Sequence, residues 1–359
     1  MYSHDESIDG SGSSAAKKSI RFLAGVLVLA LAAPFAVAEA AQEQGDSDAC
    51  NGIARELVFA GLDWNSAQLH NQIAGQILQA GFGCSFTDIP GSTIPMVQGL
   101  VRGDIDIAME IWFNTAPEMY HEAAAAGDVL DLGLNMNAGE YAFLVPRFVI
   151  EGDADRGIAP MAPDLKSVDD LPMYASVFED PEEPGKGRFY NCIIGWQCEL
   201  VNNDKMATYG LDEHFTNFRP GTGAALASSL AGAYEKGDAW LGYYWGPTWV
   251  LGTYDMVVLE EPAYSEDCWV EGDRGCTWPP SIVNVAVTKE FADAASDEMI
   301  EFLRAYELDQ LVVSQFLAYM RENDAGADDA ARHFLETQAD LWTAWVSADV
   351  AARVQASLN

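Results

Sequence analysis

From residue 57 onward, short apolar runs alternate with stretches of helical period. Residues 57–62 form an unbroken apolar run of strand length. Over 66–80, Leu69, Ile73, Ile77 and Leu78 fall on one helical face, with Ser66 as the expected N-cap and Gly81 and Gly83 as the stop. A strand over 85–89 follows, then a short helix over 95–102 closed by Gly103. A strand over 105–111 and a helix over 116–126 complete the series. Two strand–helix–strand units in succession predict a parallel sheet with right-handed crossovers.

The pattern restarts near 141. Residues 141–150 read as a strand, and 151–184, rich in Pro, Asp and Glu, as an irregular surface excursion. Helices are expected over 200–209 and 222–236, and strands over 240–245, 255–259 and 282–287. The remainder is helical, over 297–306, 310–321, 328–338 and 348–358. The chain therefore reads as α/β, with two lobes and a helical C-terminal tail. Ligands of open α/β sheets sit beyond the carboxyl ends of the strands, so two such lobes facing each other make a cleft.

The N-terminus changes the picture of where the protein works. Lys17, Lys18 and Arg21 precede an apolar run over 22–33, and Ala36-Val37-Ala38 and Ala38-Glu39-Ala40 offer small-x-small cleavage sites. The run is short of the roughly 20 residues that a spanning helix needs. A signal peptide over 1–38, an acidic lead-in over 39–49 and a soluble periplasmic body are expected. Six cysteines, all beyond that signal, suit an oxidising compartment. Short spacing favours Cys192 with Cys198 and Cys268 with Cys276, which leaves Cys50 with Cys84. No CxxC pair occurs, so no metal is expected. A net charge of −36, spread along the chain, argues against nucleic acid as a partner.

Tryptophan placement carries the candidate chemistry. Most tryptophans in a protein pack cores, but Trp112 and Trp245 end predicted strands, Trp64 follows one, and Trp196 lies in a tight loop between two cysteines. Aromatic faces that converge hold a cation with no hydrogen to donate, each face contributing on the order of 0.5–2 kcal/mol. The loop Cys192-Ile193-Ile194-Gly195-Trp196-Gln197-Cys198-Glu199 delivers free N–H groups at a helix start, where an anion binds readily. One loop then serves both ends of a zwitterion. An enzyme is the rival class, but no G-x-S-x-G, H-E-x-x-H or phosphate-binding loop is present, and no cofactor is expected.

The motif Cys-x-x-Gly-Trp-x-Cys-Glu over 192–199 resembles the loop of the glycine betaine/proline betaine-binding proteins of ABC importers. So do Gly242-Tyr243-Tyr244-Trp245-Gly246-Pro247-Thr248-Trp249, Leu259-Glu260-Glu261-Pro262 and Pro279-Pro280-Ser281-Ile282-Val283. The resemblance spans about 56–358. It implies a two-lobed periplasmic-binding-protein fold of the type II, Venus-flytrap kind, without catalysis. Lobe 1 would comprise 50–142 and 255–359, and lobe 2 143–254, with crossings near 140–144 and 253–259. The implied partners are a quaternary-ammonium osmolyte and the membrane permease of an importer. Trp112, Trp196 and Trp245 would box the ammonium, and the N–H groups of Gln197 and Cys198 would take the carboxylate. Some members carry a histidine four residues after the first box tryptophan; here that position is Ala116. Trp64 and Tyr141 look like the walls of choline-binding relatives. Glycine betaine is the first expectation, with choline, carnitine or a sulfonium compound as alternatives and a secreted hydrolase as a remote one.

Overall fold

The computed structural model describes residues 49–138, 141–271 and 273–359. The expected signal peptide and nearly all of the lead-in lie outside them. Two five-stranded mixed sheets organise the body. The first contains β1 (Leu57–Leu62), β2 (Phe86–Gly91), β3 (Ile107–Trp112), β4 (Val129–Asn137) and β10 (Ile282–Thr288), in the order β2-β1-β3-β10-β4. The second contains β5 (Tyr141–Pro146), β6 (Gly187–Tyr190), β7 (Phe215–Phe218), β8 (Gly242–Trp245) and β9 (Met256–Val258), in the order β7-β6-β8-β5-β9.

β1 runs parallel to β2 and β3, as the alternating pattern predicts, while β10 enters antiparallel between β3 and β4. β1 reads as a continuous apolar run because helices or strands cover it on both faces. The helix Asn65–Phe82 buries Leu69, Ile73, Ile77 and Leu78 against the first sheet and ends on Gly83, whose φ of 75° suits a residue without a Cβ. Its N-cap is Trp64, not Ser66; Ser66 is buried, and its hydroxyl bonds Glu110 instead. The C-terminal helices Gln310–Asn323, Ala327–Thr337 and Ala348–Ser357 complete the first core, with Phe316, Phe334 and Val350 inside it.

Three strands escape the sequence reading. β4 alternates imperfectly, because the register shifts opposite Val285 and Gly133 adopts a φ of 104°. β6 and β7 have four residues each, too few for a period to emerge. The irregular excursion over 151–184 contains a 3₁₀ helix, Val168–Phe178.

The chain leaves the first sheet at Asn137 and enters the second at Tyr141. Its return comes later than the expected boundary at 254/255. Met256–Val258 pairs with β5, and Leu259, Trp269, Cys276 and Trp278 pack in the core of the second sheet. The expectation failed because 255–259 has strand composition but no local mark of which sheet it joins. Cys50–Cys84, Cys192–Cys198 and Cys268–Cys276 are all bonded. Among the described residues no helix is long and apolar enough to cross a membrane.

Candidate functional site

The two sheets meet across an open cleft. Trp64, Trp112, Trp196, Trp245, Gln197 and Cys198 all line it. The fold explains how residues so far apart converge. Trp112 is the last residue of β3 and Trp245 the last of β8, so each stands at a carboxyl end. Trp64 caps the helix that follows β1, and Trp196 caps the helix Gln197–Thr208. Tyr141 opens β5 in register with Trp245; its side chain lies outside what is described.

The Trp196 indole stands nearly at right angles to two of the others. Trp196 meets Trp64 edge-on at 5.6 Å and 83°, and Trp245 at 5.1 Å and 88°. Its Nε1 donates to Asp63 Oδ1 at 2.6 Å, a bond from the second sheet's loop to the first sheet. Burial raises the Asp63 carboxyl above the usual range, and the indole N–H opposes that shift. The same approach constrains Gly195. Its φ is 99°, and a Cβ there would lie 2.3 Å from Ser92 Oγ, so glycine alone fits. Gly195 O also accepts from Ile94 N at 3.2 Å. The loop thus carries Trp196 into the cleft while touching the opposite sheet's helix Thr93–Arg102.

The helix after the loop begins at Gln197, three residues earlier than the sequence pattern suggested. Gln197 and Cys198 are therefore its first two residues, and backbone N–H groups in the first turn have no partner within the helix. A polar frame holds the loop from below. Asn191 Oδ1 accepts from Cys192 N at 2.6 Å and from Asn202 Nδ2 at 2.7 Å. At the far end buried Glu199 pairs with Arg219 and accepts from Asn203 Nδ2 at 2.9 Å.

Glu110, Tyr243 and Trp278 also line the cleft and were not singled out from the sequence. Glu110 shares the Trp112 side of β3, because alternate strand residues face one way. Its Oε2 accepts from Trp64 Nε1 at 2.6 Å and from Trp112 Nε1 at 3.3 Å, so one carboxylate sets both rings. Burial pushes its carboxyl up to about 7, against the bonds from Trp64, Ser66 and Trp112. A carboxylate inside an otherwise apolar strand is a costly placement, and that was the signal available in the sequence. Trp278 gave none: it follows Cys276 in a loop, and only packing brings it to 5.0 Å from Tyr243. Ala116 lines the cleft as well.

Residues 55–337 match the family described as the substrate binding domain of ABC-type glycine betaine transport system. A curated relative, the glycine betaine-binding periplasmic protein OusX of Dickeya dadantii, is 22% identical over 269 residues, covering 70% of this chain and 77% of its own. Among solved structures, the glycine/betaine/L-proline-binding protein ProX from Borrelia burgdorferi superposes with a TM-score of 0.67 at 16% identity, over 84% of this chain and 100% of that one. An ABC-transporter choline binding protein in complex with choline gives the same TM-score and identity, over 86% and 99%. Such structural likeness at low identity supports the fold, and the family match spans most of the chain. The protein belongs to the substrate-binding proteins of the glycine betaine class of ABC transporters, a family of binders rather than enzymes.

Proposed function

We propose that the protein captures a small methylated ammonium compound, glycine betaine or choline, between its two lobes and delivers it to an importer's permease outside the cytoplasm. The observation that carries this is the convergence of Trp64, Trp112, Trp196 and Trp245 on one cleft beside the open helix start at Gln197 and Cys198. A trimethylammonium group offers no hydrogen, so ring faces must hold it, and several faces together give a few kcal/mol. The lobes would be the two sheet-centred bodies, one of 50–138 and 282–359 and the other of 141–281, moving by hinge closure. Export by the N-terminal segment is part of the same reading.

Choline has a specific feature in its favour. The described lining places no amine, guanidinium or imidazole opposite a ligand carboxylate, whereas choline needs none. Calorimetry with glycine betaine, choline, carnitine and a sulfonium analogue tests the reading. At least one is expected to bind at micromolar Kd, about −8 kcal/mol. Absence of binding by all four contradicts it.

The disulfides should separate stability from binding. Chain entropy assigns about 2 kcal/mol to the short Cys192–Cys198 loop and about 4 kcal/mol to Cys50–Cys84. The Cys50→Ser/Cys84→Ser variant is therefore expected to melt lower yet bind as before. Cys192→Ser/Cys198→Ser should melt less far below the parent and bind at least tenfold more weakly. The reverse order in binding removes the loop from the site, and the reverse order in melting contradicts the chain-entropy account.

A further inference from the structure

Among the described residues that line the cleft, Glu110 is the only carboxylate, and no described amine, guanidinium or imidazole joins it there. Its Oε2 takes both indole N–H groups and the Ser66 hydroxyl also supports the carboxylate, while its Oε1 has no hydrogen-bond partner among the described residues. That second oxygen faces His70 Nε2 at 3.7 Å, and His70 Nδ1 lies 2.8 Å from the Tyr306 hydroxyl. Glu110, His70 and Tyr306 are all buried. A carboxylate half-satisfied by donors and shut away from water is costly when ionised, unless a positive charge comes near.

We propose that Glu110 is the counter-charge of the site, and that a methylated cation entering the cleft expels the proton held by the buried Glu110–His70 pair. Capture and proton release are then one coupled event. The proton passes to solvent, the carboxylate stays behind the rings of Trp64 and Trp112, and no bond to the ligand forms. This rests on the ligand reading above.

The surrounding groups leave Glu110 as the one that titrates near neutrality. Burial drives His70, on the helix Asn65–Phe82, down to about 3, so its ring carries no charge of its own there. Burial holds the Tyr306 hydroxyl, beyond the helix Asp297–Ala305, well above its ordinary value. Asp63, on the loop after β1, is raised but engaged by Trp196. Asp131 on β4 is held by Tyr120 and by Asn284 of β10. The sign follows from Glu110 alone. The ionised form favours the cation, so affinity rises with pH to a plateau above the pKa of the empty site. Below that pKa the slope approaches tenfold per pH unit.

The test is calorimetry with choline from pH 5.5 to 8.5, in two buffers of different ionisation enthalpy, beside its uncharged carbon analogue 3,3-dimethylbutan-1-ol. Wild type is expected to bind choline about fivefold more tightly at pH 7 than at pH 6, releasing up to one proton, with no pH slope for the alcohol. Glu110→Gln should bind choline weakly with a flat profile. Wild-type binding without proton release, or an unchanged slope in Glu110→Gln, overturns the proposal and leaves the ligand reading intact. If Glu110→Gln does not fold, the wild-type proton count decides. Failure of wild type to bind any methylated ammonium at any pH overturns both.

Discussion

Replacing Trp196 with alanine should nearly abolish binding of choline and glycine betaine and also lower the melting temperature of the free protein. A single cation–π face contributes on the order of 0.5–2 kcal/mol. Trp196 does more than present a face. Its ring supports the edges of Trp64 and Trp245, and its N–H bonds Asp63 across the cleft. The expected binding loss is about 2–3 kcal/mol, or roughly a hundredfold in Kd. The position of Trp196 alone would suggest a residue whose loss spares stability. Its burial at 3% exposure, inside the core of the second sheet, says otherwise. Deleting a large buried ring costs up to about 3–5 kcal/mol. Trp196→Phe should retain part of both effects. Calorimetry and ligand-free melting on the two variants check this; parent-like affinity in Trp196→Ala would remove Trp196 from the site.

The second large effect concerns a residue outside the cleft. Lys205→Met is expected to destabilise the protein by about 3–5 kcal/mol, because it strands Glu261 as a buried, uncompensated charge. Lys205 is fully buried, and its Nζ lies 2.6 Å from Glu261 Oε1 and bonds the carbonyl of Cys276. Tyr209 also donates to Glu261, at 2.8 Å. Burial lowers the Lys205 pKa, and Glu261 opposes that shift. This pair ties the helix Gln197–Thr208 to the Cys268–Cys276 segment. The same ammonium lies 5.5 Å from the Trp278 ring centroid, behind a wall of the cleft. Denaturant unfolding of Lys205→Met, Glu261→Gln and the double variant gives the coupling. The double variant should recover part of the loss. A cost below about 1 kcal/mol for Lys205→Met would mean that the pair contributes little.

Much of the fold was legible along the chain, for reasons that are local. A strand covered on both faces must be apolar throughout, and β1 reads that way. A helix packed on one side must repeat near 3.6 residues, and Leu69, Ile73 and Ile77 do so before Gly83 ends the run. The loop motif around Trp196 and the aromatic end of β8 were legible too. A ring at a strand's carboxyl end, or between two close cysteines, is a pattern within ten residues of sequence. Cysteine spacing is likewise a property of short segments.

Tertiary structure decided the rest. Whether 255–281 joins the first or the second sheet depends on which edge is free when β5 is already in place, and no short window contains that information. β4, interrupted at Gly133, is a strand because β10 pairs with it, despite its broken alternation. The start of the helix at Gln197 rather than near 200 follows from the disulfide and from Asn191 and Asn202 bracing the loop. Glu110 is the sharpest case. In the sequence it is one acid among 55 acidic residues. Its meaning comes from His70, Trp64 and Trp112 meeting it where its side chain is buried. Hydrophobic period is set by which face of one element is covered, so it is written locally. The energy of a buried charge depends on everything that surrounds it, and only the folded chain assembles those neighbours.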